Sequence, residues 1–209
     1  MDSITNSIFQ IVVFLFSVVV HEVSHGAMAL RLGDDTAKNE GRLTLNPIPH
    51  LDPVGSILLP FLLIASGSPF IIGWAKPVPY NPMKLHKDMK YGPLKVALVG
   101  PGANLAIAIL VGSLLRMASG VLGEAAMALL IQIVFINVLL AVFNLIPIPP
   151  LDGSKILTVL LPFQVSRALQ GIEAWGIALV FLMLMFFGNA IFYITTLITA
   201  LIIGPIPAF

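Results

Sequence analysis

Apolar residues in this chain come in long uninterrupted runs. Four of them, about Ile8 to Leu32, Pro93 to Met117, Glu124 to Ile146 and Trp175 to Ile203, reach the roughly 20 residues that a helix needs to cross the hydrocarbon layer. The pattern therefore predicts an all-α polytopic membrane protein with about four transmembrane helices. A fifth run, Val54 to Gly73, is long enough on paper. It is interrupted by Pro60, Gly67 and the pair Ser68-Pro69, which disfavour one straight helix, so it is either a full span or a re-entrant hairpin. Between the first span and this run, GDDTAKNEGRLTLNPIPH places turn residues around a short alternating stretch, Arg42 to Leu45, and reads as a small interfacial β or loop region.

Composition agrees with the pattern. Of 209 residues 58% are hydrophobic and only 10% charged, and the mean hydropathy is +1.00, far from the balance of a soluble domain. The length leaves room for a single membrane-embedded domain over residues 1–209, without added soluble modules. A net charge of +1 offers no basic surface for nucleic acid. The N-terminal MDSITNS lacks the positive region of a signal peptide, and the run after it is too long for one, so a retained first span is expected.

Charge placement decides the fifth run, because short loops rich in Lys and Arg stay cytoplasmic. Arg31, Lys38 and Arg42 follow the first span. Lys76, Lys84, Lys87, Lys90 and Lys95 flank the start of the second, and Lys155 and Arg167 follow the third; only Arg116 lies elsewhere. These loops share one side if Val54 to Gly73 dips in and returns. The expected topology puts the N- and C-termini outside and the chemistry described next at the cytoplasmic side.

That chemistry begins with HEVSH, His21 to His25. With no cysteine in the chain, a metal site must use His, Asp or Glu. Histidines four apart share one helix face and can bind one zinc ion, while Glu22, one position along, stands beside the metal where it can take a proton from water. The pattern alone is modest evidence, but ionisable side chains cost about 2.5 to 3.5 kcal/mol each in a span, and the stretch before them, Ile11 to Val20, offers only Ser17 as a polar group. A purely structural hydrogen-bonding role for three such groups is the weaker reading.

Two histidines leave a catalytic zinc short of its usual three protein ligands. Asp152, within NLIPIPPLDG at the same predicted side, is the best candidate for the third. Pro147, Pro149 and Pro150 break regular helix there, irregular backbone at membrane depth needs a cavity, and Gly153 allows a turn. The competing reading makes Asp152 the N-cap of the next helix.

In these motifs the chain resembles the site-2 protease family of intramembrane metalloproteases. HEVSH fits the family's HExxH, Gly100-Pro101-Gly102-Ala103-Asn104 its GPxxN block, and Asn144 to Gly153 its NxxPxxxxDG block. The resemblance implies one Zn²⁺ per chain held by His21, His25 and Asp152, with Glu22 as the catalytic carboxylate. Asn144, and with it Asn104, is implied on the substrate side, although Asn104 reads equally well as a helix-to-helix hydrogen bonder. Implied partners are transmembrane protein substrates within the bilayer of a prokaryotic cell membrane. The chain resembles minimal forms without a PDZ domain and adds the Val54 to Gly73 segment.

A helical substrate must unwind locally to expose its carbonyls, and Arg42 to Leu45 is a candidate to pair with it by strand addition. His50 is expected to be an interfacial loop residue rather than a fourth ligand, and His86 to be solvated. Two other readings stay open: a membrane metal or proton transporter, and an inactive scaffold that binds helices. A protease of the HExxH-plus-Glu type is weaker, since none of Glu40, Glu124 and Glu173 sits in a matching block.

Overall fold

The structure, a computed structural model, describes residues 3–58, 61, 62, 66, 73–118 and 120–204. Helix α1, Ser3–Arg31, is followed by the single turn α2, Thr36–Asn39. After an irregular region come α3, Gly92–Ala118, and α4, Glu124–Asn144. The shorter α5, Asp152–Leu160, and α6, Phe163–Ile172, lead to α7, Gly176–Ile203. Four of these helices, α1, α3, α4 and α7, are long and apolar enough to cross a membrane. Helix α4 stops two residues short of the expected Ile146, because Pro147 disfavours helical backbone at the residue before it.

Helix α3 packs against both α1 and α4, and α7 closes the bundle against α4. Ala108, Val134 and Val138 form the buried centre of the α3–α4–α7 contact. A second cluster, Leu151, Met183 and Ile191, fastens the start of α5 to α7. The outward side of α7 shows Phe181, Phe186, Phe187 and Phe192 more than half exposed. Such a face suits lipid and would be a liability in water.

Contacts sort the helix ends. Gln132 near the start of α4 donates to Asn6 near the start of α1 at 2.7 Å, and Arg116 at the end of α3 donates to the Leu201 carbonyl at the end of α7. At the other end His21 and His25 of α1 meet Asp152 of α5. Ten of the eleven basic residues are carried by segments at that second end. The exception, Arg116, is placed where a cation complements the carbonyl end of a helix.

The end of α1 and the start of α3 lie side by side. Ala29, Leu32, Leu85 and Val96 form one buried cluster, and the Lys87 amide donates to the Leu32 carbonyl at 3.1 Å. Residues 32–91 therefore make no net crossing. Within them the Trp74 amide donates to the Gly55 carbonyl at 3.2 Å and Ser56 Oγ to the Trp74 carbonyl at 2.8 Å. A single crossing would separate those ends by about 30 Å, whereas Gly55 and Trp74 are bonded to each other. Most of residues 59–72, and with them the expected hairpin turn, lie outside the described residues.

Of the two readings of Arg42 to Leu45, β or loop, the structure has the loop, and there is no strand among the described residues. Its residues turn inward instead. Arg42 is buried, Leu43 packs where a Cβ on Gly26 would stand, and the Thr44 carbonyl accepts from His50 Nε2 at 2.9 Å. The run presents no continuous edge for strand addition.

Asp34, wholly buried just past α1, ties this region together. Its carboxylate accepts from the Thr36 amide and hydroxyl and from the Asn81 amide. Burial pushes its pKa up, but these hydrogen bonds outweigh burial and hold it below the ordinary 3.8. A depressed carboxylate stabilises the fold above its unfolded pKa and loses that contribution as pH falls through the folded value. Asp34→Ala should cost about 2 kcal/mol or more at neutral pH, read as a lower unfolding midpoint in detergent. The gap from wild type should narrow as the pH falls below the ordinary carboxylate value of 3.8 and through the lower folded one.

Candidate metal centre

Three elements meet at the centre: the last third of α1, the first turns of α3 and the start of α5. His21 and His25 leave α1 on one face, as their spacing requires. Asp152 arrives 131 residues after His21. The three proline residues before it interrupt the helix, and two successive turns, Leu151 N–H to the Ile148 carbonyl and Ser154 N–H to the Leu151 carbonyl, restart it. The N-cap of α5 is Leu151, and Asp152 is the first helical residue, buried, with its side chain turned to the histidines. The capping alternative for Asp152 is thereby set aside. Gly153 matters for contact distance: a Cβ there would lie 2.3 Å from the Leu145 carbonyl oxygen, so only glycine lets α5 fold back on the end of α4.

His21 Nε2 and His25 Nε2 lie 3.1 and 3.0 Å from Asp152 Oδ2 and 3.0 Å from each other. The tautomers follow from their other nitrogens. Asn104 Nδ2 faces the Ser17 carbonyl, which can only accept, and Asn137 Oδ1. Asn104 Oδ1 is thus turned to His21 Nδ1 at 2.7 Å, which must donate. His25 Nδ1 donates in the same way to the Val96 carbonyl at 2.6 Å. Both Nε2 atoms are then lone-pair bearers in the neutral rings, aimed with a carboxylate oxygen at one point.

Three lone-pair atoms this close repel unless a cation or protons lie between them. A tetrahedral zinc with ligands at about 2.0–2.1 Å sets ligand atoms roughly 3.3 Å apart, near the observed triangle. The donor set of two imidazoles and a carboxylate is one used by open, catalytic zinc sites, and the Nδ1 partners supply the outer-shell support such ligands need. The residues fit a zinc ion.

Glu22 is half-buried beside this group, and its Oε2 accepts from the Val78 amide at 2.8 Å. A cavity of about 110 Å³ is lined by His21, Glu22, His25, Asp152, Asn144 and Lys155 among others. Lys155 Nζ lies 3.1 Å from Asp152 Oδ1, the carboxylate oxygen turned away from the imidazoles. Burial would lower the Lys155 pKa, but the Asp152 carboxylate raises it further, so the ammonium stays charged. A second cavity of about 450 Å³ adjoins the first, sharing Tyr80, Pro150 and Lys155 as walls.

The residues singled out from the sequence divide here. His21, Glu22, His25, Asp152 and Asn144 line one cavity. Asn144 uses its Nδ2 on the Leu140 carbonyl of its own helix. Asn104 stands behind the site instead, wholly buried, with its amide committed to His21, Ser17 and Asn137. His50 is no part of the metal group and is buried, while His86 is exposed.

Several contributors were given no role in the site from the sequence, Gly100 having been quoted only as part of a motif. A Cβ on Gly100 would lie 2.4 Å from His25 Nε2 and 2.8 Å from His21 Cε1, so the imidazoles fit against α3 only because position 100 has no side chain. The Val96 carbonyl and the Val78 amide carry no sequence signal, since every residue but proline has both groups. Lys155 had one: a cation three residues after Asp152 shares its helix face.

Apolar spans enclosing two histidines, a buried aspartate and an adjacent glutamate define a membrane-embedded metalloprotease. The sequence pattern of Peptidase family M50 matches residues 111–187. The Bacillus subtilis (strain 168) protein named "Putative zinc metalloprotease YwhC" is 39% identical over 183 residues, covering 84% of this chain and 79% of that protein. The Rip2 proteins of Mycolicibacterium smegmatis and Mycobacterium tuberculosis (strain H37Rv), which bear the same zinc metalloprotease description, are each 34% identical. They are matched over 82% and 83% of this chain, which spans 64% of their length. No solved structure matches the chain. The chain belongs to Peptidase family M50, the site-2 protease family, as its motifs suggested.

Loss of the Asn104 carbonyl should release the His21 ring. Asn104→Leu is expected to weaken zinc binding by about 10- to 100-fold, measured by competition with a chromogenic chelator. Gly100→Ala should do the same by displacing both imidazoles.

Proposed function

We propose that the protein is an intramembrane zinc endopeptidase that cuts peptide bonds in or near the transmembrane segments of other membrane proteins, the chemistry of regulated intramembrane proteolysis. One observation carries this reading: the three converging lone-pair atoms of His21, His25 and Asp152 share a cavity with the Glu22 carboxylate. One zinc per chain, held by those three residues, would leave a position open, acidify water there and polarise a peptide carbonyl.

The protein's own groups do the rest. Glu22 takes the proton of the attacking water as its oxygen bonds to the scissile carbonyl carbon, and returns it to the amine nitrogen as the C–N bond breaks. Asn144, at the cavity wall, would donate the second hydrogen of its Nδ2, the first being given to the Leu140 carbonyl, to the substrate carbonyl oxygen or backbone. Lys155 offsets the negative charge that Asp152 and Glu22 bring to a site of low dielectric. The adjoining larger cavity gives an unwound substrate segment a way in.

The basic residues gathered at the site end support a topology with that end at the cytoplasmic face and the N-terminus outside. The first described turns of α1 and the end of α7 would then lie at the outer face, with 1–209 acting as one membrane-embedded unit.

The test is cleavage of a model transmembrane peptide by purified protein in detergent or nanodiscs, with metal content measured in parallel. Glu22→Gln should retain about one zinc per chain and lose at least about 100-fold in kcat; Asp152→Ala should lose both zinc and cleavage. Zinc-loaded wild type that cuts nothing but moves metal ions or protons across vesicles would replace this reading with a transporter. Zinc-loaded wild type that only binds transmembrane helices would make it a scaffold.

A further inference from the structure

Resting on the reading of Glu22 as the proton acceptor, we infer that the extended segment at residues 76–79 is a strap that aims this carboxylate, and that buried Arg42 is the positioning residue that holds the strap. The segment lies across α1 one turn beyond Glu22. Val78 is 6% exposed, and a Cβ on Gly26 would come within 2.8 Å of its Cγ1. The glycine that follows His25 thus lets the strap lie flush against the helix.

Within residues 77–79 a single backbone donor exists, since Pro77 and Pro79 have no N–H. That donor is the Val78 amide, and it is bonded to Glu22 Oε2 at 2.8 Å. Position 78 is also restricted to extended backbone by the proline after it, so the amide has little freedom to turn away. Glu22 makes no other hydrogen bond among the described residues, and its side chain would otherwise sample several rotamers. One fixed oxygen leaves the other to face the cavity.

The strap is held at its first two residues. Arg42, 4% exposed, donates through Nη2 to the Lys76 carbonyl at 2.8 Å and the Pro77 carbonyl at 3.3 Å. The Lys76 amide donates to the His50 carbonyl at 2.9 Å. A buried guanidinium serving two carbonyls is a costly arrangement to build. Its placement sets the height of the next amide in the chain.

The amide can be removed without changing His21, Glu22, His25 or Asp152. Val78→Pro deletes the donor in backbone already extended, while Val78→Ala keeps it and matches the loss of side-chain packing. Relative to Val78→Ala, Val78→Pro should lower kcat by about tenfold or more, with KM within about twofold and bound zinc unchanged. Arg42→Met should reproduce the kcat loss with zinc retained, and Arg42→Lys, which can still reach a carbonyl, should recover part of it. Equal kcat for Val78→Pro and Val78→Ala, both folded and zinc-loaded, would overturn the inference, as would a loss expressed only in KM. Absence of cleavage by zinc-loaded wild type would instead remove the underlying assignment of Glu22.

Discussion

The rest of the structure depends on three lone pairs aimed at one point inside a bundle that lies in lipid. Two neutral imidazoles and a carboxylate at 3.0–3.1 Å repel one another, and burial strips away the water that would soften that repulsion. The arrangement persists because each imidazole is held from behind by an acceptor that fixes its tautomer, Asn104 for His21 and the Val96 carbonyl for His25. Nothing in this geometry is neutral toward charge: the site is arranged for a cation.

Close backbone approach is the means by which the bundle brings these groups together. Gly100 thins α3 where the imidazoles rest, Gly153 lets α5 fold onto the end of α4, and Gly26 lets the strap lie on α1. Each glycine removes a Cβ that would stand less than 3 Å from a neighbour. In lipid the hydrophobic effect does not drive helices together, so association falls to packing and interhelical hydrogen bonds. The Asn104–Asn137–Ser17 contacts across α1, α3 and α4 are of that second kind.

Charge and helix ends form one system as well. The basic segments cluster at the end that holds the site, and the ends of the segment around 54–73 meet there through Gly55, Ser56 and Trp74. That same segment leads directly into the strap over Glu22. The irregular region between α1 and α3 thus links the end of this apolar run to the Glu22 carboxylate within a few residues.

The sequence by itself marked the spans and the HEVSH face, through apolar run length and helical period, and made Asp152 the best candidate beside the histidines, which the family resemblance also implied. Lysine and arginine placement favoured a re-entrant path for Val54 to Gly73 over a full span. The sequence left Arg42 to Leu45 open between strand and loop: alternation over four residues is a weak local signal, and here a buried arginine and the Gly26 notch make it a loop. Only the tertiary structure decided that Asn104 stands behind His21, that Asp152 opens α5 rather than capping it, and that the Val78 amide meets Glu22. Those facts depend on which atoms of distant segments face one another, and backbone N–H and C=O groups, present at nearly every residue, mark no position in a sequence until the fold places them.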